Sequence, residues 1–260
     1  MLFRSQSGTP FQGSLLYWES CIFRGINTLE MKNIAFLLLA LAGLAVNKVS
    51  AQSTQSRQVS GFGSVANSGS FTVRVKITGT ESVKVTAGAD IINEIETVVE
   101  GGTLHIRYKH QHEQHNYSGK VEVDITARSL SGLVCSGSGS VTVDGVAKGH
   151  GVEVTLSGSG TISSGIEAVN LNVTISGSGS VNLSGKAGET KLTLSGSGRL
   201  AAKDLSTDVA DLMIAGSGNT YITVNKTISG TIVGSGSVTY SGNATVSEVH
   251  AVGSGKIRHS

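Results

Sequence analysis

The sequence predicts an all-β fold of a particular kind, a β-solenoid built from rungs of about 19 residues. Three observations predict it. The tripeptide Gly-Ser-Gly begins at Gly137, Gly158, Gly177, Gly196, Gly216, Gly234 and Gly253, at intervals of 21, 19, 19, 20, 18 and 19 residues. Apolar and polar residues alternate on the flanks of the triplets. The composition is rich in Gly, with 35 residues, and contains one Pro, as suits tight turns between interior strands that need every backbone N–H.

Aligning the repeats on the triplet defines columns. Four residues after its first Gly stand Val141, Ile162, Val181, Leu200, Thr220, Val238 and Ile257. Two residues before it stand Cys135, Leu156, Ile175, Leu194, Ile214, Ile232 and Ala251. Four before it stand Leu133, Val154, Val173, Leu192, Leu212, Gly230 and Val249, while Thr155, Thr174, Thr193 and Thr231 occupy the position between. A strand sends successive side chains to opposite faces, so each repeat reads as two strands with one apolar face. One rung cannot bury that face alone, but stacked rungs bury a continuous column, with equivalent positions about 4.8 Å apart. Gly on both sides of the Ser permits positive φ at the turn. Ser138, Ser159, Ser178, Ser197, Ser217, Ser235 and Ser254 are then expected to form a hydroxyl ladder.

The elements before the repeats follow in order. Residues 31–51 open with Met31-Lys32-Asn33, continue in an apolar run to Val46, and end in Ser50-Ala51. That is the pattern of a cleaved secretory signal peptide, too short to span a bilayer. Residues 1–30 then read as an upstream extension from a misassigned start codon, and residues 52–260 as one domain. Its 57–130 portion is β-rich and lacks the triplet, and 131–260 carries the rungs. Phe71, Val73, Val75 and Ile77 alternate as a strand; residues 90–95 are expected to form a short helix with Ile91, Ile92 and Ile95 on one side. Gly101-Gly102 predicts a hairpin between 96–100 and 103–109, and Val121, Val123 and Ile125 another strand leading into the solenoid. No linker is evident, so this portion is expected to pack directly on the first rung.

Removing residues 1–51 takes away four Lys/Arg and two Asp/Glu from totals of 20 and 18, leaving 16 of each and no net charge with His neutral. The electrostatic signature of nucleic-acid or anionic-membrane binding is therefore missing. Of those 209 residues 53 are Ser or Thr but 26 are Val, too β-branched for a flexible linker. One Cys remains, Cys135, so packing rather than an internal disulfide must hold the domain. Its column points it inward, where a thiol behaves as a small hydrophobe.

With Arg57-x-Val59-x-Gly61-Phe62 after a signal peptide, residues 96–106 around their Gly-Gly turn, and the Gly-Ser-Gly repeats, the sequence resembles a bacterial family called "putative auto-transporter adhesin, head GIN domain". The resemblance runs over roughly residues 57–257. It implies a right-handed β-helix akin to pectin-lyase-type folds, without an established catalytic centre, and a role in cell adhesion.

The triplet serines recur without a His or acid partner, unlike the Gly-x-Ser-x-Gly elbow of hydrolases, so a structural ladder is the favoured reading. No triplet continues into the Gly-Lys-Ser/Thr of a phosphate loop. The segment around His110, His112 and His115 is the candidate metal site, because paired imidazoles suit Zn or Cu; its alternative is a solvated hairpin tip. No Asp column repeats as in calcium-binding rolls. Glu153, Lys191, Asp211 and Glu248 share an outward column, but their signs alternate, and sugar-stacking aromatics are few: two Phe, four Tyr and no Trp after residue 51. Thr155, Thr174 and Thr193 form a flat hydroxyl array similar to those on ice-binding solenoids, but Val134, Met213 and His250 interrupt it.

The expected function is that of an exported, non-enzymatic solenoid needing no cofactor. It would present a repetitive surface to a glycan or protein ligand of the cell surface or envelope, by multivalent contact along its ladders. The alternatives are a periplasmic structural or ligand-binding scaffold and a carbohydrate-active β-helix enzyme. Expected locations are the periplasm, the cell surface or the exterior. Gln52 rather than Cys follows the cleavage site, so no lipid anchor is expected, and neither a transmembrane anchor nor an autotransporter barrel is seen after residue 51. The last rung ends near Ser260, and an uncovered edge there predicts self-association through 253–260.

Overall fold

The computed structural model describes residues 52–109 and 119–260. The expectations for residues 1–51 and for His110, His112 and His115 fall outside the described residues. The rungs are five long strands, β9 (Ser140–Gly158), β10 (Thr161–Gly177), β11 (Ser180–Gly196), β12 (Arg199–Gly216) and β13 (Asn219–Gly234). Each pairs in parallel with the next. Where the repeat suggested two strands per rung, one strand runs almost the whole way and is broken at the Gly-Ser-Gly corner. Inter-rung pairing, with local register shifts, continues past the mid-rung bend.

The register matches the column alignment. Val141 pairs with Ile162, Ile162 with Val181, Val181 with Leu200, and Leu200 with Thr220. Cys135, Leu156, Ile175, Leu194, Ile214 and Ile232 stack likewise, and all six are fully buried. Burying a side chain of Leu or Ile size contributes about 1.5–3 kcal/mol, so each column is a continuous source of cohesion along the axis. Thr220 breaks its apolar column: it is 1% exposed and its hydroxyl finds no hydrogen-bond partner among the described residues.

The two glycines of a triplet serve different purposes. Only the first has positive φ, between +109° and +127°. Its amide neighbour bonds back to the preceding corner, as in Ser159 N–H to the Gly137 carbonyl at 3.0 Å and Ser197 N–H to that of Gly177 at 2.9 Å. The third residue is buried against the core. A Cβ on Gly179 would lie 2.5 Å from the Gly160 oxygen and 2.7 Å from a Leu156 methyl. The expectation of positive φ on both sides of the Ser is thus corrected: the first Gly is required both by its φ and by the close approach of the preceding corner, the second by close packing alone.

The N-terminal portion is not a separate layer resting on the first rung. β2 (Ser64–Ser68) pairs in parallel with β8 (Gly132–Gly137), and β3 (Thr72–Ile77) with the start of β9. Together they are a rung, and its corner is Gly69-Ser70-Phe71, stacked on Gly137-Ser138-Gly139 through the Gly139 N–H to Gly69 carbonyl bond of 3.1 Å. Residues 57–130 lack the triplet itself, but Gly69-Ser70-Phe71 takes its place as a degenerate copy at the corner. Phe71 takes the third position and packs edge-on against Tyr108, with ring centroids 4.8 Å apart.

A further layer lies beyond it. β6 (Thr103–Tyr108) pairs with β2 and β7 (Glu122–Ala127) with β3, both in parallel. Antiparallel strands finish that end: β4 (Ser82–Gly88) on β7, β1 (Gln52–Arg57) on β4, and β5 (Ile95–Glu100) on β6 around the Gly101-Gly102 turn, as the sequence predicts. The short helix expected over 90–95 is a single 3-10 turn, Ile92–Glu94. Ile91, Ile92 and Ile95 are all buried, and their pull into the core holds the turn short. At the other end β14 (Ser237–Ser241) and β15 (Thr245–Gly253) together form the rung stacked on β13, and β16 (Lys256–His259) begins a further rung on β14. Among the described residues, no helix is long and apolar enough to cross a membrane.

Candidate interaction surface

What the solenoid offers outward is set by the residues between its buried columns. Every triplet serine from Ser138 to Ser254 is exposed, each on the corner after a positive-φ Gly. The hydroxyls therefore rise along one line of the fold. On the neighbouring face Thr155, Thr174 and Thr193 pair in register, and Ser157, Ser176 and Ser195 run beside them.

This face changes character toward the C-terminal end. Met213 follows Thr193 in its column and is 59% exposed. Ala215, Val233 and Val252 follow Ser195 in the next column, with Val233 47% and Val252 64% exposed. In this second column hydroxyls give way to aliphatic side chains, while Thr231 and His250 follow Met213 in the first. In the repeat pattern Met213 interrupts the threonine column; beside Ala215 and Val233 it begins an apolar patch that ends at β15. Among the described residues β15 pairs with β13 alone, and its nine residues are exposed but for a half-buried Val249.

Several surface charges are tied across rungs. Lys148 meets Glu167 at 2.6 Å and Lys226 meets Asp208 at 2.8 Å, while Arg74 bridges Glu122 and Asp124 at 3.1 and 3.2 Å. Lys226 holds the Asp208 carboxyl below the usual carboxylate range, and Lys120 does so for Glu122. In the outward column of Glu153, Asn172, Lys191, Asp211 and Ser229 the register is as aligned. Lys191 pairs with Glu189 of its own rung, and Ser229 donates to Asp211 at 3.4 Å. A register shift between Ile228 and Gly230 precedes Glu248. The column brings no two carboxylates together as an acid and base pair.

Cys135 lies where its column put it, inside, with its thiol 3.5 Å from the Gly139 carbonyl. Burial pushes the thiol's pKa up, against a smaller opposite effect of the Thr161 backbone. Its neighbour in register is Asn67, wholly buried, which donates to the Phe71 carbonyl at 3.0 Å and so pins the degenerate corner. Among the described residues no group of three or more His, Cys, Asp or Glu side chains is placed to hold a metal.

Comparison with known proteins agrees with this architecture. The family model for "putative auto-transporter adhesin, head GIN domain" matches residues 61–244. The fold is similar to that of a putative adhesin from Bacteroides fragilis, with a TM-score of 0.72 and 20% identity over 81% of this chain and 97% of that one. It is also similar to a putative adhesin from Parabacteroides distasonis (TM-score 0.65, 17% identity, 82% and 98% covered). A putative lipid binding protein from the same species is similar too (TM-score 0.64, 23% identity, 82% and 98% covered). No curated protein matches the sequence. The chain belongs to the head GIN domain family.

Proposed function

We propose that this member of the head GIN domain family is an exported, adhesin-like, non-enzymatic protein that binds through its repetitive outer faces. The observation that carries the reading is the register of exposed hydroxyls. Seven triplet serines, with the Thr155, Thr174 and Thr193 array beside them, repeat one chemistry at rung spacing. Each such contact is weak, and linking many makes the sum strong without any single dominant residue. The matching ligand is itself repetitive, a glycan or protein of a cell surface or envelope. Balanced charge argues against nucleic acid as partner. Beads coated with the purified protein are expected to bind cells or envelope fragments, and soluble protein to compete. Coated beads that bind no better than uncoated ones would remove the adhesion reading in favour of a periplasmic scaffold.

A second property is supported by a separate observation. Met213, Val233 and Val252 lead to the outer edge of β15, where backbone groups face away from β13. An exposed edge beside an apolar patch is a template for pairing with a second copy. Self-association through the C-terminal rungs would lengthen the array and multiply its contacts.

A further inference from the structure

We infer that the mid-rung bend of β9 to β12 carries a binding groove for a short neutral saccharide. Its origin is a difference in length among stacked bends. Between Thr142 and Val146 β9 spends two more residues than β10 does between Ser163 and Gly165. β12 likewise spends one more than β11 between Ala201 and Asp204, and three more than β13 between Ala202 and Ser206. The bends of β9 and β12 project, and those of β10 and β11, lying between them, recede. Three rung spacings separate the walls, about 14 Å at roughly 4.8 Å each. The recess has a volume of about 530 Å³, inside the range of small-ligand sites, about 300–1,000 Å³.

The lining suits a sugar. Ser163, Ser164, Asn182 and Ser184 form the floor, Asp204 stands on one wall, and Val146 on the other. Asn182 donates to the Ser163 hydroxyl at 3.2 Å, and the Ser164 hydroxyl donates to the Gly165 carbonyl at 2.9 Å. These bonds orient the amide and hydroxyls while leaving donors and acceptors for a ligand. Val146, 38% exposed, with Ala201 beside the floor, provides apolar surface for the C–H face of a ring. Among the described residues the one charged lining group is a carboxylate, Asp204. It accepts hydrogen bonds from hydroxyls and repels anions, so a neutral saccharide is favoured over a uronate or phosphate. Lys203 does not offset it, because its ammonium lies over the Tyr221 ring, 5.2 Å from the centroid. The Lys203 carbonyl accepts from the Thr223 hydroxyl at 2.7 Å, which holds that wall. An extended peptide fits less well, since the floor strands already pair with each other in register through Ser163, Ser164 and Gly165.

This inference deepens the adhesion reading by naming a ligand class, and it is tested in solution, apart from any display on cells. Cellobiose, maltose and diacetylchitobiose, with digalacturonate as the acidic counterpart, are titrated into labelled protein while amide NMR shifts are followed. At least one neutral sugar is expected to move residues 163–165, 182–184 and 201–204 saturably, and digalacturonate to bind at least tenfold more weakly. Asn182→Ala and Asp204→Ala, both on the outer surface, are each expected to weaken binding fivefold or more with spectra otherwise unchanged. Ser184→Arg, which fills the floor, is expected to abolish it. No saturable shifts with any neutral sugar would overturn the inference. So would shifts confined to other faces, preference for the acidic sugar, or binding unchanged in all three variants. Cell binding by coated beads without sugar binding would sink the groove alone; sugar binding without cell binding would sink adhesion alone.

Discussion

A Cβ placed on Gly158 would lie 2.6 Å from the carbonyl oxygen of Gly137, one rung away. The same approach recurs at Gly177, Gly196 and Gly234, at 2.5–2.6 Å from the preceding corner. Rung spacing at the corner is thus set by the absence of a side chain. Gly177→Ala, which combines a clash with a φ of +114°, is expected to destabilise the fold by more than about 2 kcal/mol. Ser178→Ala, at an exposed residue between, should change stability by less than about 0.5 kcal/mol. Chemical denaturation of both variants measures the difference, and equal effects would contradict the assignment of separate roles.

Thr220 sits between Leu200 and Val238 in a buried column with its hydroxyl unpartnered. Replacing it by Val removes a buried polar group at nearly constant volume. Thr220→Val should therefore stabilise the protein by about 1–2 kcal/mol. A lower denaturation midpoint in the variant would show that the hydroxyl is satisfied in solution.

Cys135 should be inert in the folded protein and react with a thiol reagent only at the rate of unfolding. Its pH linkage has a definite sign. Burial raises the folded-state pKa of this acid above that of the unfolded chain, so unfolding becomes easier as the pH rises past the ordinary thiol value of about 8.5. Below that value the thiol is neutral in both states and has no effect. Comparing denaturation at neutral and alkaline pH in the native protein and in Cys135→Ala should show a steeper alkaline loss in the native protein. Parallel curves would refute the linkage.

Self-association through the last rungs predicts a concentration-dependent mass in light scattering. A Val233→Lys, Val252→Lys double variant places charge on the patch beside the β15 edge and should return the protein to monomer mass. Equal masses for the two proteins would remove the idea.

Much of this was legible in the sequence because a solenoid repeats its rules. The triplet positions Gly137 to Gly253 and the flanking apolar columns foretold the register residue by residue. What escaped was wherever the repeat was broken. Gly69-Ser70-Phe71 hid a corner because Phe71 replaced the diagnostic Gly; the signal was Val65 and Asn67 before it with Val73 and Val75 after. The insertion of β4 to β7 between two rungs put Ser68 and Ser136, partners in the sheet, 68 residues apart, and no local periodicity bridges that distance. Residues 90–95 carried a helical spacing of Ile, but burial of all three competed with helix extension and left one turn. The groove lay in small differences of bend length between rungs, visible in the unequal triplet intervals but without meaning until the strands were stacked.

The most direct test of the account is whether protein in intact cells that make it is reached by added protease or a membrane-impermeant label. The account predicts cleavage or labelling of the exposed rungs without opening the envelope. Protection until the envelope is opened would contradict surface adhesion and leave an internal scaffold as the function.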